Sequence, residues 1–269
     1  MNVPTIQRRL GATVTGYGER VIVFGNGLGT SQATWRHVAA ALHSRARLVR
    51  FDNVCSPAAP SGGYRAEAYT SLHDYVDDVV GLLDELEVTD ALFVGHSISG
   101  IIGLMAAIAA PERIAQVVTI CSSPCFLEDV GYHAGMPRED VESLLADAQS
   151  DFANWAQRFA TVAIGPDASE AERSEFATLL SAMRPDIAIR TLKTVFLGDN
   201  RPILPRVTQP VTVLHTVCDT AFPMAAGEYL VQRLPSATLV PLPSRGHLPH
   251  LTAPRDVIRA LEHVLDRWP

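Results

Sequence analysis

Short apolar runs alternate with longer stretches of helical periodicity along most of this chain. Runs bounded by turn residues predict strands near 5–16, 21–26, 46–52, 91–95, 114–121, 211–217 and 237–242. Helical patterns separate them from residue 32 onward. Near 69–87, Leu72, Tyr75, Val76, Val79, Leu83 and Leu86 form one stripe, and the acidic run Asp74, Asp77, Asp78, Asp84 and Glu85, mostly off it, reads as solvated surface. This alternation predicts an α/β fold, a doubly wound, mostly parallel sheet. Residues 128–200 break the pattern: helical stretches at about 138–149, 151–164, 169–183 and 186–197 follow one another with no strand between. Pro137 and Pro185 suit first-turn positions, and Gly165-Pro166-Asp167 makes a stop. Falling between the fifth and sixth predicted strands, the insertion is expected to cover the strand ends as a four-helix lid (128–200) on a core of 1–127 and 201–269.

Composition narrows the function classes. A chain of 269 residues, 47% hydrophobic, can bury one sizeable core without disulfides or metals. A net charge of −7 offers neither a basic patch for nucleic acid nor a polybasic membrane anchor. Ile98 to Ala110 is apolar but shorter than the roughly 20 residues a bilayer requires. Met1 to Thr5 shows no basic region leading into an apolar core, so no signal peptide is expected and the cytoplasm is the default location. Cys55, Cys121, Cys125 and Cys218 form no C-x-x-C pair, and no metal or organic cofactor is expected.

Chemistry concentrates where predicted strands end. Gly95-His96-Ser97-Ile98-Ser99-Gly100 lies between the apolar run Ala91–Val94 and a small-residue helical run, which is the setting of a nucleophile elbow. Such a turn would expose Ser97 at a helix N-terminus, where backbone N–H groups favour negative charge. The fifth motif position is Ser99, not the usual glycine. Asp219 follows the sixth predicted strand and His247, preceded by Gly246, follows the seventh. This gives the chain order nucleophile, acid, histidine at the sheet edge where open α/β folds place their sites. Asp199, Asp186 and Asp256 compete for the acid; His250, His215 and His263 compete for the base. The loop Gly25-Asn26-Gly27-Leu28-Gly29-Thr30 follows the second strand. Its spacing is neither G-x-G-x-x-G nor a phosphate loop with Gly-Lys-Ser, so an oxyanion loop is the better reading, with the N–H groups of Leu28 and Ile98 as donors.

With these residues the chain resembles an α/β-hydrolase of the RsbQ type, the bacterial stress-response hydrolase grouped with the plant strigolactone and karrikin receptors. The resemblance rests on Gly27-Leu28-Gly29-Thr30 with Gln32 and Trp35, Phe51-Asp52-Asn53, Gly95 to Ser99, and Ser123-Pro124-Cys125-Phe126-Leu127. It continues through Asn154-Trp155, Phe159-Ala160, Phe196, Asp199 and Gly246-His247-Leu248-Pro249-His250-Leu251. Ser99 is itself a feature of the plant receptors, whereas Asn26 departs from the pattern, where relatives commonly carry His. The resemblance helps place Trp155, Phe159 and Phe196 of the lid, with Phe126 and Leu28 below, around a small apolar ligand. A Ser-His-Asp triad working through an acyl-enzyme would then cleave a small ester or lactone. Two classes stay open: a metabolic ester or lactone hydrolase, or a receptor that binds or slowly cleaves an apolar signal and presents its lid to a regulatory protein partner. The resemblance implies the second, the relative's partner being a regulatory phosphatase.

Overall fold

Residues 5–268 are described by the computed structural model; the segment Met1–Pro4, weighed above for a leader, lies outside them. Seven strands form one sheet: β1 (Thr13–Gly16), β2 (Val21–Gly25), β3 (Arg47–Arg50), β4 (Ala91–His96), β5 (Ile114–Ile120), β6 (Val211–Cys218) and β7 (Ala237–Arg245). Their spatial order is β1-β3-β2-β4-β5-β6-β7, with only β1 antiparallel to its neighbour. The expected doubly wound sheet is therefore present, and strand starts agree with the apolar runs except at the first.

There, the expected strand over 5–16 is a helix followed by a short strand. Helix α1 (Ile6–Arg9) begins at Thr5, whose hydroxyl accepts the Arg8 N–H, and the Glu85 carboxylate accepts the Ile6 N–H at 2.7 Å. Ile6 and Leu10 are four apart, a helical spacing, and Leu10 is fully buried. Strand β7 runs three residues past its predicted end and contains Pro241 and Pro243, which an edge strand tolerates.

The strands alternate their apolar residues between two cores. Val23, Phe93, Val117 and Val213 face α3 (Leu72–Glu85) and α4 (Ile98–Ala109). Ile22, Leu92, Val118 and Leu214 face α2 (Arg36–Leu42) and, beyond the short α10 (Pro249–Thr252), α11 (Pro254–Arg267). Helix α9 (Met224–Arg233) joins β6 to β7. Central strands buried on both faces read as continuous apolar runs, which is why β2 and β4 were legible. The α3 stripe packs inward as its periodicity requires, but Asp78 is not solvated surface: it is buried, accepting from Tyr69 Oη at 2.7 Å and pairing with Arg9.

Between β5 and β6 stand α5 (Arg138–Ser150), α6 (Phe152–Ile164), α7 (Glu170–Ser181) and α8 (Pro185–Phe196), within a few residues of the expected insertion. Ser169 and Glu172 form a capping box at the start of α7, and Pro185 occupies the first turn of α8. Arg36 of α2 grips Glu175 of α7 in two hydrogen bonds of 2.7 Å each. Among the described residues no helix is long and apolar enough to cross a membrane.

Candidate active site

Strand β4 passes into α4 through one residue, Ser97, at φ 54° and ψ −122°. The strain of this elbow therefore falls on the serine itself and not on a flanking glycine. Gly95 serves a different need: a Cβ there would come within 2.3 Å of the Ser99 carbonyl oxygen. Two contacts with the β5 end hold the turn. The Ser97 N–H donates to Ile120 O at 2.8 Å, and Ser122 Oγ donates to Ser97 O at 2.7 Å.

Asp219 immediately follows β6, and His247 leaves the end of β7 through Gly246, at φ 95°. Their side chains meet over Ser97. His247 Nδ1 lies 2.9 Å and 3.1 Å from the two Asp219 oxygens, and its Nε2 lies 3.0 Å from Ser97 Oγ. An ionised carboxylate only accepts, so Nδ1 carries the proton and Nε2 faces the serine hydroxyl with its lone pair. The amides of Ala221 (2.7 Å) and Phe222 (3.1 Å) also donate to Asp219 Oδ1. Burial by itself would raise the Asp219 carboxyl; the adjacent His247 imidazole and these donors outweigh it and hold the group below the ordinary carboxylate range.

The competing residues are engaged elsewhere. Asp199 pairs with Arg201, Asp186 with Arg184 and Asp256 with Arg259. His215 is fully buried inside β6 and donates from Nε2 to Phe222 O at 3.1 Å. His250 stands in a column of rings, 4.3 Å from Trp35 and 4.4 Å from His96, with His96 a further 4.9 Å from His247. His96 Nε2 donates to the His247 carbonyl at 2.8 Å. Burial lowers both His96 and His250, the latter to about 3, so both stay neutral behind the His247 imidazole.

The Leu28 N–H has no protein acceptor among the described residues, and Ile98, as the first residue of α4, has an N–H without an intrahelical partner. Asn26 ties its own loop by donating from Nδ2 to Thr30 O at 2.9 Å. Above Ser97 is a narrow cavity of about 30 Å³. Leu28, Ile98, Phe126, Phe159 and Phe196 line it, joined by Phe176, Val195, Phe222 and Leu248. Trp155 does not line it. It lies one layer back, stacked at 4.9 Å on Phe159 and at 5.8 Å on Phe152, because its turn of α6 faces the neighbouring helices. Phe222 was missed because its place depends on how the Asp219 loop turns back; its spacing of three from Asp219 was the available signal. Helix α6 is fastened to the histidine loop, Ala163 O accepting from His247 N–H (2.9 Å) and Thr220 Oγ1 (3.1 Å).

Cys121 Sγ, an Asp219 oxygen and a His247 nitrogen lie within 4.8 Å of one another, the one set among the described residues with donors grouped for a metal ion. The carboxylate and imidazole there already bond each other, and burial pushes the Cys121 thiol well up, away from the thiolate a metal requires. The donor set is better explained as an acid–base pair with a packed thiol beside it.

Known proteins resemble this chain along most of its length. The model of the alpha/beta hydrolase family matches residues 22–260. The chain belongs to the alpha/beta hydrolase family. Among relatives of this hydrolase is the Karrikin insensitive 2 receptor CA of Petunia hybrida, 36% identical over 249 residues, or 92% of each chain. Another is Strigolactone esterase D14 of Arabidopsis thaliana, 34% identical over 99% of this chain and 100% of the relative. A solved hydrolase from Oleispira antarctica superimposes with a TM-score of 0.94 at 26% identity, covering 97% of this chain and 96% of that one. The resemblance to the plant receptor group read from the motifs is thus borne out along the whole hydrolase chain.

The neutral His96 and His250 predict that the fold loses stability in acid. With His250 lowered to about 3 in the folded state and near 6.5 when unfolded, the unfolded chain binds the extra proton between those values. Stability therefore falls as pH drops below 6.5, by up to about 1.4 kcal/mol per pH unit for this group. Urea unfolding at pH 7 and pH 5 should show the loss, and His250→Gln should reduce its slope by about one proton. An unchanged slope in that variant would show that His250 does not carry the effect.

Proposed function

We propose that this alpha/beta hydrolase cleaves a small apolar ester or lactone through Ser97, His247 and Asp219, and that it retains its ligand long enough to act as a signal sensor. The observation that carries the reading is the unbroken chain of hydrogen-bond distances from Asp219 through His247 to Ser97 Oγ. His247 Nε2 takes the serine proton as Oγ attacks the carbonyl carbon, and Asp219 stabilises the imidazolium without taking the proton. The tetrahedral oxyanion is held by the N–H groups of Leu28 and Ile98. His247 then protonates the leaving oxygen, and water, activated by the same imidazole, releases the acid from the acyl-enzyme.

The sensor part of the reading draws on the cavity and on the relatives named as receptors. A space of about 30 Å³ takes little more than a water or two, so an apolar ligand must displace Phe159, Phe176, Val195 or Phe196 to enter. We read residues 128–200 as a lid on a core formed by the chain up to 127 and from 201. Opening and closing of such a lid can limit turnover. The exposed face of α5, where Glu142 and Asp147 lie, is the proposed contact for a regulatory protein partner.

A serine-directed fluorophosphonate should label Ser97 once per chain. Ser97→Ala should lower kcat by about 10⁶, as far as background permits, with the ligand-induced thermal shift intact. Wild-type turnover of a lactone should fall below the enzyme median of about 10 s⁻¹. Fast turnover without a ligand-induced shift would leave an ordinary esterase.

Asp219→Asn should keep the fold and reduce kcat by about 10⁴, because the amide favours the wrong imidazole tautomer. Asp199→Asn should have little effect on the chemical step. The reverse ranking, at unchanged melting temperature, would move the acid to Asp199.

Phe159→Ala should weaken binding of a bulky lactone more than it slows cleavage of an acetate ester, because Phe159 reaches the cavity. Trp155→Ala should impair both substrates alike, in step with a stability loss of roughly 3–5 kcal/mol. A bulky-substrate defect confined to Trp155→Ala would place the ligand deeper in the inserted helices.

A further inference from the structure

The loop that carries the Leu28 amide is held by more buried polar groups than a simple turn requires. Its two successive carbonyls each accept two hydrogen bonds. Asn26 O accepts from Ser99 Oγ at 2.7 Å and from Asn53 Nδ2 at 3.0 Å, and Asn53 Nδ2 also lies 3.1 Å from Ser99 Oγ. Gly27 O accepts from Thr30 Oγ1 at 2.8 Å and from the Thr30 N–H at 3.3 Å. Thr30 is held in turn, its own carbonyl accepting from Asn26 Nδ2 at 2.9 Å and Ser56 Oγ at 2.8 Å. Asn26, Thr30, Asn53 and Ser99 are all buried, so solvent does not replace these bonds.

The Gly27 carbonyl and the Leu28 N–H belong to one planar peptide group and, in the trans form, point in opposite directions. Whatever fixes the carbonyl therefore aims the amide. We propose that Thr30 and Ser99 are positioning residues for the oxyanion donor: Thr30 orients the Leu28 N–H through the Gly27 carbonyl, and Ser99, with Asn53, locks the preceding peptide through the Asn26 carbonyl. This rests on the acyl-enzyme reading of Ser97 above. It also gives the serine at the fifth motif position a task, since glycine there would leave Asn26 O with one donor and Asn53 without its hydroxyl partner. Neither side chain needs to touch substrate; each acts on an amide that does.

The test uses Thr30→Val, nearly isosteric without the hydroxyl, Thr30→Ser, which keeps it, and Ser99→Ala, which keeps the Cβ. Each is assayed for kcat and KM on p-nitrophenyl acetate, for inhibition by an aryl trifluoromethyl ketone that forms an oxyanion on serine, and for melting temperature. Loss of one oxyanion donor costs about 10²–10³ in kcat, and a donor misplaced by about 1 Å can cost 10². Thr30→Val and Ser99→Ala should therefore lose about 10–100-fold in kcat with KM near the wild-type value. The ketone inhibition constant should rise by a similar factor, and Thr30→Ser should recover most of both. Should Thr30→Val fail to fold, Ser99→Ala reads the same loop through its neighbouring carbonyl. Unchanged kcat and ketone affinity in folded Thr30→Val or Ser99→Ala would overturn the proposal, as would equal losses in Thr30→Ser and Thr30→Val. Ser97→Ala separates the two levels: if it stays active, the acyl-enzyme reading falls, whereas an inactive Ser97→Ala beside unimpaired loop variants removes the positioning roles alone.

Discussion

A serine with positive φ at the end of a fully buried strand is the constraint on which this molecule turns. A non-glycine residue in such a conformation costs on the order of 1–3 kcal/mol and persists only where its surroundings over-determine it. Here the surroundings are the β5 end, which binds both polar groups of the Ser97 backbone, and α4, whose residues from Ser99 to Ala107 are all buried. Neither β4, which borders both cores, nor α4, which packs into one of them, can shift without exposing apolar surface. The same rigidity that makes the strain tolerable holds the hydroxyl above the sheet, where loops from β6 and β7 can reach it.

Those loops solve an electrostatic problem as well as a geometric one. The Asp219 side chain is wholly removed from solvent, a place where an isolated carboxylate would not stay charged. Two backbone amides and the His247 N–H compensate, and the remaining groups packed nearby, His215, Cys121 and the ring column behind His247, are neutral. The one ionised group in the cluster is therefore the one facing the His247 imidazole, so its field acts on that ring and is not spent on neighbouring charges. The same arrangement predicts acid sensitivity, because the buried histidines that stay neutral when folded take up protons when the chain unfolds.

The inserted helices close this site with aromatic side chains and very little empty space. They are joined to the sheet domain by Arg36–Glu175, by Arg245–Asp167 and by Ala163 O, which binds the histidine loop itself. Two of these joints are side-chain ion pairs near the surface and are individually weak. The third links any displacement of α6 to the backbone of His247. Displacement of the inserted helices and the alignment of the His247 imidazole therefore share a mechanical element.

Much of this is legible in the sequence, and for identifiable reasons. Buried parallel strands leave uninterrupted apolar runs, helices leave a stripe of period 3.6, and a run of helices without strands marks an insertion. Ser97, Asp219 and His247 stood out because each leaves a strand end beside a turn, and those cues are local. What failed was non-local. Residues 5–10 carry an apolar pattern compatible with either strand or helix, and the contact of Ile6 N–H with Glu85, 79 positions away, favours the helix. Asp78 is buried because Arg9 and Tyr69 arrive from elsewhere in the chain. Trp155 and Phe159 share one helix and one chemistry, yet only Phe159 reaches the cavity, because the packing of α6 on its neighbours decides which part of an apolar face looks down. Local pattern determined most of the elements and the order in which Ser97, Asp219 and His247 leave the strand ends. Only the tertiary structure decided their distances, their charge states and the shape of the space above them, since each depends on side chains that meet from distant parts of the chain.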